Sequence, residues 1–393
     1  MILLVVLSVF AQQDTTYGCL ACHAAQREAF VVGVHAEHGV RCTDCHGGDP
    51  GARALPAAHR GFTGKLDKVA TARVCGSCHS DPNRMRQYHL PTGQLAEFRA
   101  SRHGELLLAG GDPNAPTCTD CHDTHVIYPP DDARSRVYPT NIPGTCARCH
   151  SDRQMMAKYR IGTDQLEQYR ASAHGVALFQ EQNFAAPTCI GCHGAHSALP
   201  PTVNEVASVC GRCHQLIDQA FARSPHGAGA RGLPGCLACH SNHGTERVAA
   251  DGISALCDKC HATDTRIHTL GHDVQEIVAR ATDDLRSADH SMARLTLAGE
   301  RMGDFRFRYQ SARTYYLQIA LVQHSLDLQQ LEDLSRRVRS ISVDLSAAAE
   351  ASAERRWEHK LILLPVWFLA LSAVVLAWLT LRGVKESDKG RDG

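Results

Sequence analysis

Outside one recurring pentapeptide, this 393-residue sequence contains no cysteine. It also carries no net charge, with 41 basic side chains against 41 acidic ones, and only six methionines. Strand-like alternation of apolar and polar residues is missing as well. Each absence excludes something. Balanced charge offers no basic surface for nucleic acid. Without alternation a sheet is not expected, and short helices with much coil remain. A disulfide framework would not space its cysteines three apart every time.

The pentapeptide is Cys-x-x-Cys-His. Its copies are Cys19-x-x-Cys22-His23, Cys42-x-x-Cys45-His46, Cys75-x-x-Cys78-His79, Cys118-x-x-Cys121-His122 and Cys146-x-x-Cys149-His150. Four more follow: Cys189-x-x-Cys192-His193, Cys210-x-x-Cys213-His214, Cys236-x-x-Cys239-His240 and Cys257-x-x-Cys260-His261. Two thiols at this spacing add across the two vinyl groups of a c-type haem, and the adjacent His becomes the proximal iron ligand. A zinc site would pair two Cys-x-x-Cys motifs and would not need a His after each. A redox dithiol would not need one either. Nine c-type haems are therefore expected.

The expected haem domain is residues 12–272, and its motif-bearing stretch, about residues 17–272, gives roughly 28 residues per cofactor. That is too little chain to build a conventional core around each porphyrin. The expected fold is mainly α with much coil, its core made of the haems themselves and dependent on them. Two propionates on each haem would make the loaded protein net acidic.

Aligning the motifs exposes a repeat. An aromatic residue precedes a non-motif His by five positions four times: Phe30 and His35, Phe98 and His103, Tyr169 and His174, Phe221 and His226. Each such His is followed by a motif, a second spare His and another motif. The second spare histidines are His59, His125, His196 and His243, the last three each three residues beyond a proximal His. Four two-haem units and a leading haem at Cys19–His23 account for all nine. The aromatic-flanked segments suit short helices, closed in three of four cases by a Gly just after the His.

These eight recurring histidines are the candidate distal ligands. His38 competes with His35 but lacks the aromatic offset, while His89, His290 and His359 fall outside the pattern. No methionine recurs, so low-potential bis-His iron is expected. One haem is left short of a ligand, for which His268, His272 and His324 are candidates. His272 lies 11 residues beyond His261, close to the 12-residue separation from His23 to His35 and from His214 to His226.

From Asp273 an apolar seam begins: Val274, Val278, Ala281, Leu285, Ala288, Met292 and Leu295. Gly303-Asp304 breaks it, and a second helix with Ala312, Tyr316, Ile319, Val322, Leu326, Leu334, Val338, Ile341 and Leu345 follows. Residues 273–360 thus read as an antiparallel helical hairpin or a zipper between two copies. The antiparallel return would carry His324 back alongside the haem region.

Residues 361–381 contain no charge and are long enough to span a bilayer, with Trp367 and Trp378 near the ends. Residues 1–11 read as a short signal peptide without its basic region. Haem attachment outside the cytoplasm then orients the chain. The haem domain would be periplasmic or exterior, held at the cytoplasmic membrane, with residues 382–393 as a cytoplasmic tail.

The pattern Ser-x-His-Gly … Pro-Thr-Cys-x-x-Cys-His-x-x-His at Ser101–His125 and Ser172–His196 resembles the multihaem cytochrome c superfamily, which includes tetrahaem electron carriers and hydroxylamine oxidoreductase. The chain also resembles the membrane-anchored members that end in a long helical hairpin and one transmembrane helix. That resemblance implies a haem ligand in a His-Ser/Ala-x-Asp stretch, here His324-Ser325-Leu326-Asp327. The chain departs from the ammonifying nitrite reductases, having no Cys-x-x-Cys-Lys motif. No tyrosine is assigned as cross-linked to haem, although Tyr315 and Tyr316 lie in the second helix.

Two functions are open at this point. If every iron carries two His ligands, no substrate can bind and the protein is an electron carrier in an anaerobic-type respiratory chain. Its partners would be redox proteins, such as a membrane quinone-reactive cytochrome b or a periplasmic or outer-membrane cytochrome. If the ninth iron is open, the chain is an oxidoreductase for a small nitrogen or sulfur oxyanion of the nitrite, hydroxylamine or tetrathionate type.

Overall fold

The computed structural model describes residues 18–199, 206–227 and 235–389. The expected signal segment, 1–11, and the last four residues of the tail lie outside them. The described residues are mainly helical, and no strand occurs among them. The chain divides into two compact units, Met1–Cys210 with Cys236–Arg247, and Gly211–Gly235 with Val248–Gly393.

The first unit is a succession of short helices that carry the motifs. The first motif of each repeat forms a bare five-residue helix: Cys42–His46, Cys118–His122, Cys189–His193 and Cys236–His240. One turn is enough, because positions i, i+3 and i+4 share a face. In the two CTDCH copies, Asp44 and Asp120 reach back to accept the backbone N–H of Arg41 and Thr117, at 2.7 and 2.8 Å. The residue after the proximal His is left-handed in all four repeats: Gly47, Asp123, Gly194 and Ser241. That reversal stops the helix and turns the chain toward the next spare His. Second motifs instead end longer helices, as in Lys68–His79 and Ile142–His150.

Apolar burial in this unit is sparse. Its buried apolar side chains are Ala72, Met85, Leu107, Ala115, Ile142, Met156, Tyr169 and Leu178, and no contiguous cluster forms among them. Polar links join the repeats instead. Lys68 donates to the carbonyls of Pro113 and Ala115, and Thr117 donates to the Lys68 carbonyl. Asp112 accepts from Lys158 and from the Tyr159 hydroxyl, both at 2.8 Å.

The second unit is built on three long helices, not on a two-helix hairpin. The first bundle helix runs Thr265–Ala298, the second Met302–Val322 and the third Leu328–Lys389. The first begins eight residues before the composition changes, N-capped by Asp264, which accepts from Arg266 and Ile267 N–H. The break expected at Gly303-Asp304 falls instead at Gly299, whose left-handed backbone closes the first helix. A second turn follows at Gln323–Leu326, with Leu326 also left-handed and Asp327 capping the Gln330 N–H.

Two apolar clusters fill the bundle. One gathers Val274, Ile277 and Ala281 with Ile319, Val322, Leu331, Leu334 and Val338, and Ile253 beside the last motif packs on it. The other gathers Ala288, Leu295, Leu345 and Ala349. Tyr315 and Tyr316 belong to this packing. Tyr316 shares a hydrogen bond with Thr282, and Arg337 sits over the Tyr315 ring.

The third helix continues unbroken through Pro365 into the apolar stretch 361–381. Among the described residues it is the one helix long and apolar enough to cross a membrane. Its apolar side chains there, including Trp367, Phe368 and Val374, are exposed and pack on nothing. That separates it from the core helix of a soluble protein.

Candidate haem sites

The spare histidines face the motif histidines in pairs. Ring centres stand 6.4 Å apart for His23 and His59, 6.3 Å for His46 and His125, and 6.0 Å for His35 and His79. The separation is 6.0 Å for His103 and His150, 6.1 Å for His122 and His196, and 6.0 Å for His193 and His243. In the second unit His226 faces His261 at 6.2 Å. Two imidazole nitrogens, each about 2 Å from a metal between them, put the ring centres roughly 6 Å apart. Interplanar angles range from 14° to 87°, as expected where each ring turns freely about its own metal–nitrogen bond.

The pairing follows the repeat. An aromatic-flanked His faces the second motif of its own unit, as His35, His103 and His226 do. A second spare His faces the first motif of the preceding unit, as His125, His196 and His243 do, and His59 faces the leading motif. Each repeat is thus stitched to its neighbour. The stitch is reinforced by backbone: Val34 N–H donates to the Ile127 carbonyl, and Ala173 N–H to the Thr245 carbonyl.

Ring tautomers are set by the second nitrogen. Nδ1 of His46, His193 and His240 donates to the carbonyls of Gly64, Leu199 and Glu246 at 3.0–3.2 Å. His59 donates likewise to Leu55, and His324 to Ala320, both at 3.0 Å. A committed Nδ1–H leaves Nε2 as the bare lone pair a metal needs. Burial pushes the proton affinity of His35, His79, His103, His122, His125, His150, His196 and His243 below the ordinary imidazole range. Neutral imidazole is the ligating form.

None of the eighteen cysteines is in a disulfide. The Cys75 thiol hydrogen-bonds Cys118 and pulls its pKa down to about 7; Cys146 hydrogen-bonds Cys189 and lowers its pKa in turn. These contacts set the second motif of one repeat beside the first motif of the next. Among the described residues no three His, Cys, Asp or Glu side chains converge on a point that could hold a bare ion. Two facing imidazoles beside a thiol pair suit a group that brings its own equatorial ligands, as haem does.

What presents the aromatic-flanked histidines was not recognised from sequence. Ser101, Ser172 and Ser224 are buried, and each accepts the N–H of the residue after the ligand: Gly104, Gly175 and Gly227, at 3.0–3.1 Å. Ser101 and Ser172 also donate to the carbonyls of Phe98 and Tyr169 at 2.7 Å. The glycine does not close the preceding helix. It lies in the turn the serine caps, where a Cβ would collide with the aromatic residue's carbonyl oxygen. The recurring Ser-x-His-Gly was the available signal.

The remaining histidines sort by their contacts. His38 packs on Tyr88 at 4.8 Å, leaving His35 as the facing ligand. His89 is left-handed, His290 is exposed on the first bundle helix, and the His359 side chain lies outside the described residues. His272 packs edge-on against His268 at 4.5 Å, too close for an ion between them, and His268 bonds Asp258 at 2.8 Å. His324 lies in the second bundle turn, which packs against the helix Gln215–Ala222. His174 Nδ1 stands 3.2 Å from Thr245 Oγ1, and His214 immediately precedes the helix Gln215–Ala222. Compared with known proteins, the chain matches no family model, no curated protein and no solved structure.

Proposed function

We propose that this chain is a membrane-anchored electron-transfer protein holding nine c-type haems, each between two histidines. The observation that carries the reading is the set of seven imidazole pairs at 6.0–6.4 Å, each joining a motif His to a repeat His. When bound, the haems supply reversible one-electron chemistry at iron. The chain would contribute two facing imidazoles to hold each group, leaving no room for a substrate at the metal between them. Before attachment, the Cys75–Cys118 and Cys146–Cys189 contacts place successive motifs side by side.

The stitching rule runs out at the last repeat, because no further repeat follows to supply a ligand. One histidine from outside the repeats is needed. His324 has the same Nδ1–H to a backbone carbonyl as His46, His59, His193 and His240, whereas His272 spends its ring face on His268. His324 is therefore the ninth distal ligand in this reading. The partner is a redox protein, and the span at 361–381 holds the chain at the cytoplasmic membrane with the haem region outside the cytoplasm.

Electron paramagnetic resonance of the oxidised protein tests this. All irons should be low-spin, with broad reduction at mostly negative potentials. His103→Ala and His324→Ala should each convert one haem to high-spin while all nine stay attached. If the wild type already holds a high-spin haem that neither His324→Ala nor His272→Ala alters, one iron is open. The oxyanion-reductase reading then replaces this one.

A further inference from the structure

We propose that the foot of the three-helix bundle is a second membrane contact, resting in the phospholipid headgroup layer without crossing it. The inference rests on residues 361–381 being a membrane span. The foot is the turn between the first and second bundle helices, together with the face of the third helix it touches. Two contacts fix its height: Arg355 pairs with Glu300 at 2.8 Å, and Arg356 donates to the Leu297 carbonyl at 2.9 Å. From Arg356 to Leu361 the helix rises about 7.5 Å. The headgroup layer on each side of a bilayer is itself roughly 5–8 Å thick. A turn level with Arg356 therefore lies at the water-facing edge of that layer.

The chemistry of the foot fits that depth. Leu297 is 79 % exposed, more than any other large apolar side chain in the structure, and Trp357 is 64 % exposed. Single exposed apolar residues are ordinary on protein surfaces. Here both stand beside the start of the span, where an indole is at home between headgroup and acyl chain. Arg294, Arg301, Arg355 and Arg356 are exposed around them, against Glu300, Glu354 and Glu358. Glu300 is already paired with Arg355. Guanidinium groups meet phosphate through paired donors, which suits a phospholipid surface. With a turn and a span both held, the bundle is fixed against rotation about its single anchor.

The cysteine pattern provides a clean test. Thioether formation would consume every native thiol, so Leu297→Cys gives the loaded full-length protein a single labelling site. A nitroxide there is measured in phospholipid nanodiscs containing phosphatidylglycerol, for accessibility to oxygen and to a water-soluble nickel chelate. Val343→Cys, exposed on the third helix about 18 Å above Arg355, is the reference. Position 297 should lose nickel accessibility and gain oxygen accessibility relative to 343, and Trp357→Cys should behave like 297. Equal nickel accessibility at 297, 357 and 343, with the chain incorporated in the discs, overturns the proposal and leaves the anchor intact. Failure of the chain to enter the discs overturns the anchor, and the proposal with it.

Discussion

Between residues 18 and 210 the buried apolar side chains are scattered, and the repeats meet through lysine, threonine and aspartate hydrogen bonds. Between 265 and 352 three helices enclose two contiguous apolar clusters. The two regions therefore draw their stability from different sources. The bundle has its own hydrophobic driving force, at about 1.5–3 kcal/mol for each large side chain fully buried. The motif region has surface hydrogen bonds and ion pairs, of which exposed pairs contribute roughly 0–1 kcal/mol each. It sets imidazoles face to face beside thiol pairs, and in the proposed reading the haems between them supply the rest of its core.

The sharpest way to break this contrast is to withhold haem. Chain made without haem attachment should lose its protease protection across residues 18–210, while the bundle from 265 onward stays resistant and helical. Mass spectrometry of the fragments reads this directly, and a protected motif region in haem-free protein would end the comparison. Next in size is Leu331→Ala. This side chain is fully buried in the bundle, and the substitution should cost about 2–5 kcal/mol. Thermal melting should show a less stable bundle with the haem absorption spectrum unmoved.

Smaller effects belong to the capped turn. Ser101→Ala removes an N-cap and should cost about 1 kcal/mol, with the iron staying low-spin. Gly104→Ala forces a Cβ against the Phe98 carbonyl and should displace His103. The resulting high-spin signal would distinguish ligand placement from mere stability. If both variants melt alike and stay low-spin, the turn does not position the ligand.

The nine motifs, the four repeats and the spare histidines were legible because they recur as fixed residue types at fixed spacing, as covalent haem attachment would demand. Which motif His each spare His faces was not, since that depends on how neighbouring repeats fold back on one another. The Gly after the ligand was read as a helix stop because helix C-termini favour Gly; the buried Ser three residues earlier shows it begins the next turn. In the bundle, the second turn was hidden by Leu326. A left-handed leucine gives no composition signal, and it also continued the apolar seam. Asp327, the cap that follows, was quoted only as part of a ligand stretch. Gly303 misled for the opposite reason: it is a breaker by type, yet it lies inside the second helix.

The first bundle helix also sets a distance. Its N-terminal end carries Gly271 against Cys257, the first cysteine of the last motif. Its C-terminal end lies level with Arg356, just above the apolar stretch. At 34 residues it is about 50 Å long. With residues 361–381 in the bilayer, the site between His226 and His261 is held on a mast: the 26 residues from Gly271 to Leu297 put it roughly 40 Å out from the membrane surface. No single tunnelling step covers that gap. A redox partner for this site must therefore be tall enough to reach it or free to diffuse to it, and a carrier dissolved in the lipid beneath is neither.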